Sequence, residues 1–185
     1  MEHFLIVNNV IAAQTKKIEP VFQSILPEFS VIIEIGFDRG ALSQWLYENK
    51  NNKTKLVSYD ISFNNKLINN NNINFRLGDC FDEKIINEIN ELIQLPGKTL
   101  VLCDGGNKER EFELYSTFLK TGDVIMLHDY AHSDSDYIQV MRDIGWQTPA
   151  ESRFENIQTA IKTNNLIPYN YNMLKNVLWG SFIKQ

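Results

Sequence analysis

The stretch Ser30-Val31-Ile32-Ile33-Glu34-Ile35-Gly36-Phe37-Asp38-Arg39-Gly40 decides the fold. Its apolar, β-branched first half predicts a short strand buried on both faces, as in a parallel sheet. Glu34 stands near the end of that strand, and Gly36 and Gly40 bracket a tight turn. Ala41 to Leu46 follows with helical spacing of its apolar residues. Strand, glycine turn and helix together present backbone N–H groups and bare backbone where a ligand can approach closely. Twenty residues past Gly40, Asp60 closes the next apolar run, Lys55 to Asp60. A carboxylate there is placed to accept hydrogen bonds from ribose hydroxyls. A glycine turn alone could merely close a βα unit, but the acid at ribose spacing points to a nucleoside-cofactor site.

Charge selects among nucleosides. A dinucleotide site wants Gly-x-Gly-x-x-Gly, so that a pyrophosphate can rest on the helix N-terminus. Here Asp38 holds the middle position, and Glu34 stands just before the turn. Both repel a diphosphate and suit a cationic ligand. S-adenosylmethionine (SAM) carries an amino group and a sulfonium and no phosphate, so the residues favour it over NAD or FAD.

The chain has 185 residues, one domain's worth, and a domain of that size buries a substantial core without covalent help. A formal charge of −5 and a sequence pI near 5.2 give no general attraction for a nucleic-acid backbone. Two cysteines, Cys80 and Cys103, read as reduced intracellular thiols rather than a disulfide framework. Residues 1–14 lack the basic start and apolar core of a signal peptide. No run approaches the ~20 apolar residues of a membrane span. The expectation is a soluble cytoplasmic protein acting on a small-molecule substrate, with no nucleic-acid or membrane partner.

Along the chain, strands alternate with helices in the manner of a parallel α/β sheet. Residues 11–26 are expected to be helical, making 1–29 a short N-terminal helical segment before the first strand at Val31. Strands are expected at 31–35, 55–59, 73–77, 99–103, 124–127 and 176–184. Helices are expected from Ala41 to Asn49, Lys84 to Leu95 and Glu109 to Leu119, from about Asp136 to Ile144, and from Phe154 to Thr163. The Asn-rich runs at 49–52 and 69–72 read as loops. Trp45, Trp146 and Trp179 are expected in the core, and Tyr59 either packs there or stacks on adenine. No repeat or Pro/Gly-rich linker divides the chain, so 1–185 is one domain.

In an open α/β sheet, ligands bind beyond the carboxyl ends of the strands. The residues expected at those ends are the Glu34–Gly40 turn, Asp60, Asp79, Asp104 and the pair His128-Asp129. Each acid alone could form a turn or cap a helix. Together they converge on one edge, which a random surface would not do.

These motifs resemble a class I SAM-dependent methyltransferase. Glu34-Ile35-Gly36-Phe37-Asp38-Arg39-Gly40 is similar to the first motif of that fold with its usual middle glycine missing. Asp60 resembles the ribose-binding acid, and Gly78-Asp79-Cys80 the adenine-side loop. The later segments Leu102 to Asn107, Glu113-Leu114-Tyr115, Thr121 to Asp129, Asn165 to Asn170 and Val177 to Phe182 are similar to the cephalosporin-hydroxylase and rhamnosyl O-methyltransferase type. The resemblance implies a single Rossmann-like α/β domain with a mostly parallel seven-stranded sheet and helices on both faces. It implies SAM held by Glu34, Gly36, Gly40, Asp60, Asp79 and Asp104. It also implies a divalent cation such as Mg2+ on Asp104 and Asp129. His128 replaces an acid that relatives often carry, and Asn107 replaces a histidine. A histidine ligand favours a softer metal than Mg2+.

Methyl transfer from a sulfonium is an in-line displacement, so the protein aligns the partners and excludes water. A hydroxyl acceptor must also lose a proton. Asp104, His128 and Asp129 are the catalytic candidates, with His128 the natural base because an unperturbed imidazole titrates nearest neutrality. The reading is therefore O-methylation of a hydroxyl on a sugar or other metabolite. The alternative is a non-catalytic SAM- or nucleoside-binding domain that serves a partner. The short N-terminal addition favours a site that is open, or completed by a second copy of the chain.

Overall fold

The computed structural model describes residues 3–62, 66–68, 70–145 and 148–185. Trp146 and the start of the 69–72 run therefore lie outside the described residues. The chain opens with a hairpin, β1 (Phe4–Val7) and β2 (Val10–Thr15), followed by α1 (Ile18–Ile25). The nucleotide-type half contains β3 (Val31–Ile35), α2 (Ala41–Asn49), β4 (Lys55–Asp60), β5 (Asn74–Leu77) and α3 (Glu83–Ile93). Next come β6 (Thr99–Cys103), α4 (Lys108–Tyr115), β7 (Val124–His128), β8 (Tyr130–Ala131), α5 (Asp134–Ile144) and β9 (Ser152–Arg153). The chain ends with α6 (Phe154–Thr163), β10 (Leu166–Pro168), α7 (Tyr171–Lys175) and β11 (Trp179–Lys184).

The expected helix over 11–26 is half wrong: residues 10–15 are a strand. The cause is the dipeptide Asn8-Asn9, whose two residues adopt φ of 50° and 64°. Asparagine tolerates this left-handed region, and two such residues in a row make the turn that suits a two-residue hairpin loop. Val7 pairs with Val10 across it. Only Ile18–Ile25 keeps the helical form, so the segment 1–29 is a hairpin and one helix.

One sheet of seven strands runs in the order β10-β11-β7-β6-β3-β4-β5. β5, β4, β3, β6 and β7 are parallel, whereas β11 is antiparallel to β7 and β10 to β11. Alternate residues feed two cores. Ile32, Leu100, Leu102 and Met126 pack with Phe22, Trp45 and Trp179 under α1, α2 and the hairpin. Val31, Ile33, Val101, Cys103 and Ile125 pack against α3, α4 and α6 on the other face. Trp45, Trp179 and Tyr59 are all buried, as core residues should be. Cys80 and Cys103 are buried free thiols, and burial first of all pushes both pKa values up. Among the described residues, no helix is long and apolar enough to cross a membrane.

Glu34 shares the face of Ile32, beneath α2, and is wholly buried. Ser43 of α2 donates a hydrogen bond to its Oε2. Burial, against which the Ser43 and Ser58 hydroxyls work, raises its pKa to about 8. The native protein therefore keeps a proton that the unfolded chain releases above about 4.5. The stability contributed by this group falls as pH rises from that value towards 8. For one full proton the slope is about 1.4 kcal/mol per pH unit. Glu34→Gln should remove that part of the slope, so urea midpoints measured from pH 5.5 to 7.5 should fall less in the variant than in the parent.

Candidate active site

β3 is where the crossovers reverse, with β4 on one side and β6 on the other, and that is where open α/β sheets bind ligands. Gly36 follows β3 with φ 99°, and a Cβ there would stand 2.2 Å from the Asp104 carbonyl oxygen and 2.8 Å from the Gly105 nitrogen. The two strand ends touch backbone to backbone, so a side chain at 36 would collide with protein before it reached any ligand. Gly40 (φ 83°) caps α2, where a Cβ would meet the Phe37 ring.

A cavity of about 520 Å3 opens beside this contact. Gly36, Asp60, Gly78, Asp79, Asp104 and Gly106 are among its walls, with Tyr59 and Phe81 as aromatic surface. Asp60 accepts backbone N–H bonds from Asp38 (2.9 Å) and Ser62 (3.0 Å), one on each oxygen. A carboxylate pair of oxygens offers about four lone-pair positions, so two remain for a diol. Asp79 accepts from the Phe81 N–H at 2.9 Å, which shapes the loop. Glu111, absent from the sequence-based candidates, accepts from the N–H groups of Gly105 (3.2 Å) and Asn107 (3.1 Å) and folds that loop around the cavity. Burial, opposed by those N–H bonds, raises its pKa to about 7. Among the described lining residues there are five acids and no lysine or arginine. Such a wall suits a cationic, phosphate-free nucleoside. Glu34 and Gly40 are not among the residues that line this cavity or the one next to it, whereas their neighbours Ile35, Gly36, Arg39 and Ala41 are.

The second cavity, about 240 Å3, shares Gly36, Asp38 and Asp104 with the first and continues to Lys108, His128, Asp129 and Glu151. The register explains the meeting. β6 and β7 run parallel with Cys103 opposite Leu127, so the next residues, Asp104 and His128, emerge together. His128 Nδ1 lies 3.0 Å from Asp104 Oδ1 and 3.3 Å from Asp129 Oδ2. Burial opposes the charged imidazole, but the two carboxylates outweigh it and raise its pKa to about 9. That direction favours the protonated ring and argues against the expected role of His128 as the base. Burial would raise Asp129, yet His128 and Lys108 hold it below its usual range.

Three more residues belong to the site and were not among the sequence-based candidates. Lys108 brings its ammonium to 3.9 Å from Asp104, 3.6 Å from Asp129 and into a hydrogen bond with Glu151. Gln14, 1% exposed, donates from Nε2 to Asp104 Oδ2 (2.8 Å) and accepts at Oε1 from Trp179 Nε1 (2.9 Å). Lys108 sat in plain view four residues beyond Asp104, at a helix start where cations are out of place. Gln14 was hidden by the helical misreading of β2.

Sheet order, glycine turn and an acid-lined cavity at the strand ends suit a SAM-dependent methyltransferase. The FtsJ-like methyltransferase family model matches residues 14–112, more than half of the chain, and the chain belongs to that family. A search of curated proteins gives no match. Among solved structures, the chain is similar to an apo structure of CmcI, with a TM-score of 0.69 at 14% identity over 97% of this chain and 75% of that one. A CmcI structure with Mg and SAM gives 0.67 at 13% identity over 97% and 76%. Human N-acetylserotonin methyltransferase with SAM gives 0.53 at 14% identity over 91% and 51%. At these identities the likeness is one of fold.

Asp60→Ala removes the acceptors for a ribose diol. Two such bonds, at roughly 0.5–1.5 kcal/mol each and more when charged, should weaken S-adenosylhomocysteine binding about tenfold or more in calorimetry. Unchanged affinity in a folded variant would refute the assignment. Gln14→Met keeps the bulk but frees Asp104, so turnover should drop while S-adenosylhomocysteine affinity stays within about twofold of the parent; a fall in both would point to collapse of the sheet edge instead.

Proposed function

We propose that the protein methylates a hydroxyl oxygen of a small polar metabolite, such as a sugar. The carrying observation is the junction of the two cavities at Gly36 and Asp104, with a nucleoside-suited wall on one side and a cluster of acids, lysine and histidine on the other. SAM, when bound, supplies an electrophilic methyl group on a sulfonium. The second cavity is smaller than the ~300–1,000 Å3 common for drug-sized ligands, so it suits a small acceptor or the end of a longer one. Ile11, Ala12, Phe37 and Leu42 give it an apolar side, and the charged cluster gives it a polar one, as the faces of a sugar ring require. Asp38, Asp104, Asp129 and Glu151 share the walls with Arg39, Lys108 and His128, while the net charge of −5 disfavours a nucleic-acid backbone.

In this reading Asp104 accepts a hydrogen bond from the acceptor hydroxyl and takes its proton as the oxygen attacks. Gln14 and His128 hold the Asp104 carboxylate, one on each oxygen. Lys108 and the protonated His128 keep negative charge at the attacking oxygen from being isolated.

A divalent cation on Asp104 and Asp129 was expected from the resemblance, and Mg accompanies SAM in one CmcI structure. Asp104, His128 and Asp129 do offer ligand atoms within 4.8 Å of one another, and Asp129 Oδ1 is buried without a hydrogen-bond partner among the described residues. The Lys108 ammonium, however, already faces both carboxylates at under 4 Å, where a second cation would meet strong repulsion. As arranged, the residues do not fit a divalent ion.

Asp104→Asn should lower kcat by about 10²–10⁴-fold, the usual range for general-base catalysis, with S-adenosylhomocysteine affinity little changed. The assay is transfer of radiolabelled methyl from SAM to a panel of sugars, polyols and phenols. Absence of transfer to every hydroxyl compound, together with transfer to an amine or thiol, would overturn the reading.

A further inference from the structure

We propose that Lys108 is the resident cation of this active site: its ammonium fills the role that a divalent metal would otherwise play between Asp104, Asp129 and Glu151, and it excludes such a metal. The inference rests on the active-site reading above, and four observations carry it.

The first is burial. The Lys108 side chain is 6% exposed, and lysine is almost never that buried unless paired. The second is location. Lys108 is the first residue of α4, whose start is fixed by the Asn107 side chain accepting from the Arg110 N–H at 3.2 Å. A cation at a helix N-terminus opposes the helix dipole, so the helix does not favour it there; the carboxylates do.

The third is convergence from separate parts of the chain. Asp104 follows β6, Asp129 follows β7, and Glu151 precedes β9, yet all three carboxylates face one ammonium. The Glu151 backbone N–H donates to the Asp129 carbonyl at 3.1 Å, and Ser152 Oγ donates to the His128 carbonyl at 2.9 Å. The third carboxylate is thus tied to the strand end that bears the other two groups. The fourth is occupancy of the oxygens. Asp104 Oδ1 and Asp129 Oδ2 each face both the ammonium and His128 Nδ1. A divalent ion bound there would have to displace two existing partners.

The test reads the cation site directly, by titrating Mn2+ into the full chain and following free Mn2+ by electron paramagnetic resonance. The parent should show no 1:1 binding below the millimolar range. Lys108→Met, of similar length but neutral, should bind one Mn2+ at least tenfold more tightly, and adding Asp104→Asn should abolish that binding. Lys108→Gln serves if the methionine variant does not fold by circular dichroism. Tight 1:1 binding by the parent overturns the inference whatever the variants do. So does a folded Lys108 variant that binds no better than the parent. S-adenosylhomocysteine calorimetry on the same samples separates the two readings: a parent that binds neither that ligand nor Mn2+ refutes the methyltransferase site while leaving the exclusion of metal in place.

Discussion

The backbone contact between Gly36 and the Asp104–Gly105 segment is the constraint on which the site depends. Two parallel strands, β3 and β6, end side by side, and their exits pass so closely that a Cβ at 36 would sit inside the Asp104 carbonyl. That approach puts the Asp104 carboxylate at the seam between the two cavities. Moving either exit by the width of a methyl group would part them. In-line transfer is sensitive to about that distance.

Around Asp104 the chain assembles buried charge, which is an expensive choice. Taking ions from water costs several kcal/mol each, and only good geometry and further hydrogen bonds repay it. Here Gln14, braced by the Trp179 indole, and His128 hold one carboxylate, while Lys108 ties together three. Such a cluster is weak evidence for stability. Its value lies in holding several polar groups in one arrangement before substrate arrives. The buried Glu34 is a different case: a polar group beneath α2 whose Oε2 accepts from a serine of that helix, and whose raised pKa comes first from burial.

The family match and the site divide along the chain. Residues 14–112 contain Gly36, Asp60, Asp104 and Lys108, which together make the cofactor cavity and its border. His128, Asp129 and Glu151 lie beyond it, and Ile11 to Ala13 of the hairpin lie before it. The second cavity therefore draws its walls both from the family's common segment and from residues on either side of it.

Much of the sheet was legible because strands buried on both faces carry an unbroken apolar, β-branched signal, as in Val31–Ile35 and Thr99–Cys103. The glycine turn and Asp60 were legible because local backbone chemistry demands particular residues at short spacing. The left-handed Asn8-Asn9 turn makes a hairpin of residues 4–15 where the apolar spacing alone suggests a helix, and the three-residue strand Leu166–Pro168 is too short to carry a periodic signal. The sequence by itself determined which acids and which histidine stand at strand ends. Only the tertiary structure decided that Gln14 and Lys108 join them, that Glu34 is buried under α2, and that two carboxylates face His128. Those outcomes depend on separations of 3 to 4 Å between residues that are distant in the chain, on burial, and on the sum of neighbouring charges, none of which one-dimensional spacing encodes.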